Sequence, residues 1–197
     1  MANTNSPFGL IPRMYRNGSP YNGKYNVYYI PVGNAAAIFK GDLVSLAGSA
    51  SADGKYPDIV QSAAAGETNV GVVIGFGTSP ELMFDINNLT RNYCPALTAM
   101  YAAVIDDPDV IYEIQEDSVG GSIAVTAVGN NADIATVGSG STTTGQSAML
   151  LDSSDVKTAT AQLRILRLAN RPDNALGDYA KWLVMINESV WTGTAGA

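Results

Sequence analysis

Few residues in this chain are equipped for covalent chemistry. It contains no histidine and a single cysteine, Cys94. Without an imidazole, neither a Ser-His-Asp nor a Cys-His arrangement can be built, and the commonest metal ligand is missing too. Cys94 cannot form an internal disulfide, and with Pro95 after it it reads as a small apolar core residue rather than a nucleophile. The remaining candidates are carboxylates. Asp106, Asp107 and Asp109 crowd one turn but lack the alternating oxygens and closing glutamate of an EF-hand loop, so they read as an acidic turn before a strand. Glu113, Glu116 and Asp117 could supply the carboxylate pair of a glycoside hydrolase. With no supporting motif they read as a solvated acidic face. Gly138 to Gly145 is rich in Gly, Ser and Thr, yet no Gly-Lys-Ser/Thr follows and no strand–loop–helix setting surrounds it, so it is not a phosphate-binding loop. The sequons at Asn88 and Asn187 read as chance matches. No catalytic, cofactor-binding or metal-binding residue is assigned.

The elements that would have to position any site are strands. Val110-Ile111-Tyr112-Glu113-Ile114-Gln115 is rich in β-branched and aromatic residues, and the turn before it places Pro108 where no ladder donor is needed. Just upstream, Ala99 to Ile105 is a second apolar run. The two read as paired core strands joined by the acidic turn. Further strands are expected at Val27–Ile30, Leu43–Ala47, Ile59–Gln61, Val70–Phe76, Ser147–Leu151, Thr160–Ile165 and Trp182–Ile186. Gly71 and Gly75 inside one of them signal a bulge or a close backbone approach. In Leu163-Arg164-Ile165-Leu166-Arg167-Leu168 the alternation slips phase, as a bulge would make it do. Gly33 to Phe39 is ambiguous and could be a short helical turn. Ser122 and Gly129 could cap a short helix over Ile123–Val128, although its β-branched residues would equally accept a strand. The fold expected is all-β: an antiparallel sandwich or barrel of roughly nine short strands with at most one or two short helices.

Residues 1–26 read as an extended arm. Pro7, Pro12 and Pro20 punctuate it, and no strand or helix period runs long enough to make an element. Yet Phe8, Leu10, Ile11, Met14, Tyr15, Tyr21 and Tyr25 are large and apolar, unlike a disordered tail. Such an arm needs a bed, either its own domain or a partner chain. Phe8, Leu10, Ile11, Arg13, Tyr15, Arg16, Tyr21 and, near the other end, Trp191 are therefore the candidate partner-binding residues. Residues 27–190 form one β-rich domain, and 191–197 a loose tail.

Composition narrows the partners. The chain is 46% hydrophobic and only 15% charged, a balance that suits a protein hiding part of its surface in an assembly. Its net charge of −7 is uneven: residues 1–41 carry +4, residues 42–156 carry −13 and the remainder +2. A pI near 4.4 argues against nucleic acid as the main partner. No run of about 18 apolar residues would span a membrane. The polar first residues lack the order of a signal peptide, so the product is expected to start in a cytoplasm.

One resemblance gathers these phrases. Pro7-Phe8-Gly9-Leu10, Gly41-Asp42-Leu43-Val44, Val70 to Phe76, Asp106 to Val110, Glu113 to Asp117, Arg171-Pro172-Asp173-Asn174 and Lys181-Trp182-Leu183-Val184 together resemble the small head proteins of tailed bacteriophages, some of them capsid cement or decoration proteins. The resemblance runs nearly the full length and rests on structural phrases, with no catalytic residues to carry over. It implies a non-enzymatic, β-rich virion protein on the outside of an icosahedral capsid. Such a protein is often a homotrimer, and it bridges neighbouring subunits of the major capsid protein without nucleic acid, membrane, cofactor or small-molecule substrate. At 197 residues the chain is short for the major capsid protein itself. Two other readings stand beside it: a tail or head–tail joining subunit, and a carbohydrate-binding module or hydrolase of the virion surface.

Overall fold

The computed structural model describes residues 3–62, 65–83, 92–135 and 138–191. Within them the protein is all-β, with fourteen strands in chain order. They are β1 (Ile11–Tyr15), β2 (Asn26–Ile30), β3 (Ile38–Phe39), β4 (Leu43–Ala50), β5 (Pro57–Gln61), β6 (Asn69–Gly77), β7 (Tyr93–Cys94), β8 (Met100–Ile105), β9 (Val110–Gln115), β10 (Asn131–Ala132), β11 (Ile134–Ala135), β12 (Leu150–Leu151), β13 (Leu163–Leu168) and β14 (Lys181–Ile186).

Two units emerge from the pairing. A closed barrel runs β2-β5-β4-β6-β8, and a five-stranded sheet runs β1-β9-β14-β13-β10. Strand alternation sends Tyr28, Ile30, Val44, Ile59, Val73, Met100, Ala102 and Val104 into the barrel, where Cys94 is buried with them. The opposite faces of the same strands carry Leu43, Val72 and Ile105 onto the sheet. There they meet Val110, Tyr112, Ile114, Leu163, Ile165, Trp182 and Val184 in one continuous core. A barrel wall packed on a sheet thus satisfies both of the architectures the sequence allowed.

The approach of β6 to β8 depends on Gly71. A Cβ there would lie 1.9 Å from the Ile105 carbonyl oxygen, so no side chain fits without moving a strand. The register of β6 on β8 then shifts between Val73 and Gly75. The phase slip in β13 is likewise a register shift between Ile165 and Arg167.

Several expectations are corrected. The two central strands do not pair with each other: β8 belongs to the barrel and β9 to the sheet. The acidic turn is a crossover, held by side chains a local reading does not reach. Asp106 accepts hydrogen bonds from Asn26 Nδ2 at 2.8 Å and the Tyr28 hydroxyl at 2.8 Å, and Asp109 pairs with Arg16 at 3.0 Å. The first 26 residues include an element after all. Ile11–Tyr15 is the edge strand of the sheet, antiparallel to β9, and an edge with a register shift between Pro12 and Met14 is where a proline is tolerated. Leu10, just before it, is 1% exposed. The helix expected over Ile123–Val128 is only a 3-10 turn at Val125–Ala127, with Val128 already extended. The Gly138–Gly145 loop lies against β3: a Cβ on Gly140 would meet the Phe39 ring at 2.4 Å. The sequon at Asn88 and the tail from 192 fall outside the described residues.

Candidate functional site

Successive residues of a strand face opposite ways, and β9 shows what that does to the candidate carboxylates. Glu113 lies on the outer face of the sheet and Glu116 on the inner one. Glu116 is fully buried, its Oε2 accepting from Trp182 Nε1 at 2.8 Å and the Ile123 amide at 3.1 Å. Burial pushes its pKa up, while the bonds from Trp182, the Ile123 amide and Ser118 pull it down. The two glutamates therefore cannot flank one glycosidic bond, and neither belongs to the solvated acidic face expected from the sequence, since both are buried. Among the described residues there is also no group of three His, Cys, Asp or Glu side chains placed to hold a metal ion.

What the outer face assembles is a cleft of about 470 Å³ lined by three arginines. Register sets one row across three strands, Glu113 on β9, Leu183 on β14 and Arg167 on β13, and Arg13, left without a register partner by the irregularity in β1, reaches Glu113 from the edge. Glu113, only 3% exposed, is clamped from both sides. Arg13 Nε reaches its Oε2 at 2.8 Å, and Arg171 Nη1 reaches its Oε1 at 2.7 Å. Arg171 is held in turn by Asp173, which accepts from Nε and Nη2 at 2.9 Å each. Those contacts with Asp173 and then Glu113 raise the Arg171 pKa, and Arg171 keeps Asp173 below its usual range. The floor is apolar, made by Ile111, Ala169 and Leu183 with Met14, Leu166 and Met185 packed on it. Arg167 is exposed, turned outward by the bulge in β13, and lies over this floor with Nη2 3.9 Å from Met14 Sδ.

The eight expected partner-binding residues have diverse fates. Arg13 enters the cleft. Leu10 is core. Phe8 and Ile11 line a second groove of about 350 Å³ with Lys40, Ile74 and Gln146. Tyr15 and Tyr21 pack together with ring centres 6.0 Å apart, and burial pushes the Tyr21 hydroxyl up to about 12. Arg16 is tied to Asp109. Trp191 stands 55% exposed. Sequence reasoning missed Arg167 and Arg171, whose only signals were the phase slip in β13 and the Arg171–Asn174 turn.

A second surface was also missed. Val119, Val125, Val128 and Leu176 are exposed on two loops linked by hydrogen bonds, Tyr179 N to Ser118 Oγ at 2.6 Å and Ser122 Oγ to Asp178. Asn3 is tied to the same region through Ala175 and Asp178.

One further buried group joins the barrel to its surroundings. Asp42, 0% exposed, accepts from the Phe39 amide at 2.8 Å and Gln61 Nε2 at 2.6 Å, both on Oδ2. Its Oδ1 has no hydrogen bond of good geometry. Burial pushes its pKa up to about 6, against the lowering effect of the Ser147 hydroxyl, the Phe39 amide and Gln61.

Fold and site together define an all-β protein whose distinctive surface features are an arginine cleft and an apolar loop end. Compared with known proteins, the chain matches no family, no characterised protein and no solved structure.

Proposed function

We propose that this chain is a non-enzymatic structural protein of a phage virion that binds the outside of an icosahedral capsid and bridges neighbouring major capsid protein subunits. The observation that carries this reading is the apolar loop end, where four large aliphatic side chains are left in water on loops braced by hydrogen bonds. Exposed apolar patches of this kind mark protein–protein contact, and the exposed Trp191 adds an aromatic of the type that anchors interfaces. The low charge of the chain and the resemblance of its sequence phrases to those of phage head proteins suggest the kind of partner. A protein that binds only the closed shell stabilises it by mass action. On this reading the chain is a homotrimer around a local threefold axis.

The test is the copy number of this chain in purified particles, measured by quantitative mass spectrometry against the major capsid protein. A ratio near one to one supports a cement protein. A handful of copies would move it to a connector or tail, and absence from particles overturns the virion reading.

A further inference from the structure

We propose that the outer face of the sheet carries a docking cleft for an acidic segment of another protein, in which one carboxylate has an apolar side chain beside it. This inference does not rest on the virion reading. It begins with what the arginines leave unspent. Glu113 engages Arg13 only through Nε, so the outer nitrogens of that guanidinium still point donors at solvent. Among the described residues no carboxylate pairs with Arg167, whose guanidinium makes a side-chain hydrogen bond only to the Met14 sulfur. Two guanidinium groups with free donors, one held in place by a buried glutamate, make a preorganised receptor for a carboxylate, which the planar fork of arginine matches in two parallel bonds.

Charge and shape narrow the occupant. The cleft gathers Arg13, Arg167 and Arg171 against Glu113 and Asp173, a local excess of positive charge in a chain whose net charge is −7. The overall charge repels a polyanion such as nucleic acid, while the local excess attracts a single acidic group. Leu183, Ala169 and Met14 line the same cleft. A free phosphate would leave that floor wet, whereas an acidic residue with an aliphatic neighbour covers both parts.

The experiment uses the purified full chain and two fluorescent short peptides, one alternating glutamate with leucine and one alternating lysine with leucine, read by anisotropy. The acidic peptide is expected to bind, the basic one not, and affinity should fall as salt rises. Arg167→Ala should weaken binding about tenfold, Arg167→Lys should restore part of it, and Arg167→Glu should abolish it. Because Arg167 holds no internal ion pair, its variants should keep the wild-type melting temperature, which separates lost binding from lost fold. No binding of the acidic peptide by the wild type, equal binding of both peptides, or equal binding by wild type and Arg167→Glu would each overturn the proposal. So would complete displacement by equimolar inorganic phosphate, which would make the cleft a site for free anions.

Discussion

Asp42→Asn tests whether burial of a single carboxylate limits the stability of the barrel. In the folded protein burial pushes the Asp42 pKa from 3.8 to about 6, so the folded state holds a proton there that the unfolded state has released. Stability is therefore fully present below about pH 4 and is lost as pH rises through about 6. A difference of about two pKa units corresponds to about 3 kcal/mol. Asparagine keeps an oxygen for the Phe39 amide and Gln61 and cannot ionise. Urea unfolding of both proteins at several pH values between about 4 and 8 gives the comparison. The difference, variant minus wild type, should move in favour of Asp42→Asn by about 3 kcal/mol across that window, because every other carboxylate titrates alike in both and cancels. The new amide must find an acceptor near Oδ1, and if it finds none the variant pays a constant offset that shifts the difference without changing its slope. A difference that stays flat with pH, or moves the other way, would refute the reasoning.

Other perturbations give equally definite outcomes. Arg13→Ala and Arg171→Ala should each cost about 1 kcal/mol while the remaining arginine still holds Glu113, and the double variant about 3 kcal/mol or more, because a buried carboxylate is then left alone; a double-mutant cycle in urea measures the excess. Gly71→Ala drives a Cβ to 1.9 Å from the Ile105 carbonyl oxygen and should cost about 4 kcal/mol or more, seen as loss of soluble protein or a steep fall in melting temperature. Removing residues 1–16 takes away Leu10, worth about 2 kcal/mol of burial, together with the edge strand and Arg13. That protein should unfold far more easily than the full chain, which limited proteolysis would report.

Legibility varied with how local the cause was. Val27–Ile30, Val70–Phe76, Val110–Gln115 and Trp182–Ile186 announce themselves because their composition suits strands, and β1, β2, β6, β9 and β14 differ in how openly they do so. The glycines of β6 and the phase slip of β13 were readable because a bulge leaves its mark within a few residues. Strand β1 was hidden by Pro12, which breaks the local pattern but is harmless on an edge. The crossover at Asp106–Asp109 was hidden because its ties come from Asn26, Tyr28 and Arg16, 78 or more residues away. For the same reason Arg13, Arg167 and Arg171 could not be read as one cleft: only the assembly of β1, β9, β14 and β13 into one sheet brings them together. Two-residue strands such as β3, β7, β10 and β11 are too short to carry any pattern.

The strand order has a consequence for synthesis. The last strand of the barrel ends at Ile105, so the barrel has all its strands before β9 is made. The sheet does not. Its second strand, β9, pairs with β1 from the start of the chain and with β14, the last to be made, and β14 in turn separates β9 from β13. Until Ile186 has left the ribosome, β1 and β9 can form only a two-stranded ribbon, which is marginal alone. Leu43, Val72 and Ile105 on the barrel wall must wait uncovered for the same event. Pairings this distant in sequence close slowly, so between the making of β8 and that of β14 the nascent chain is a formed barrel with a greasy side, and that is the interval in which a chaperone or a neighbouring copy has its chance to bind.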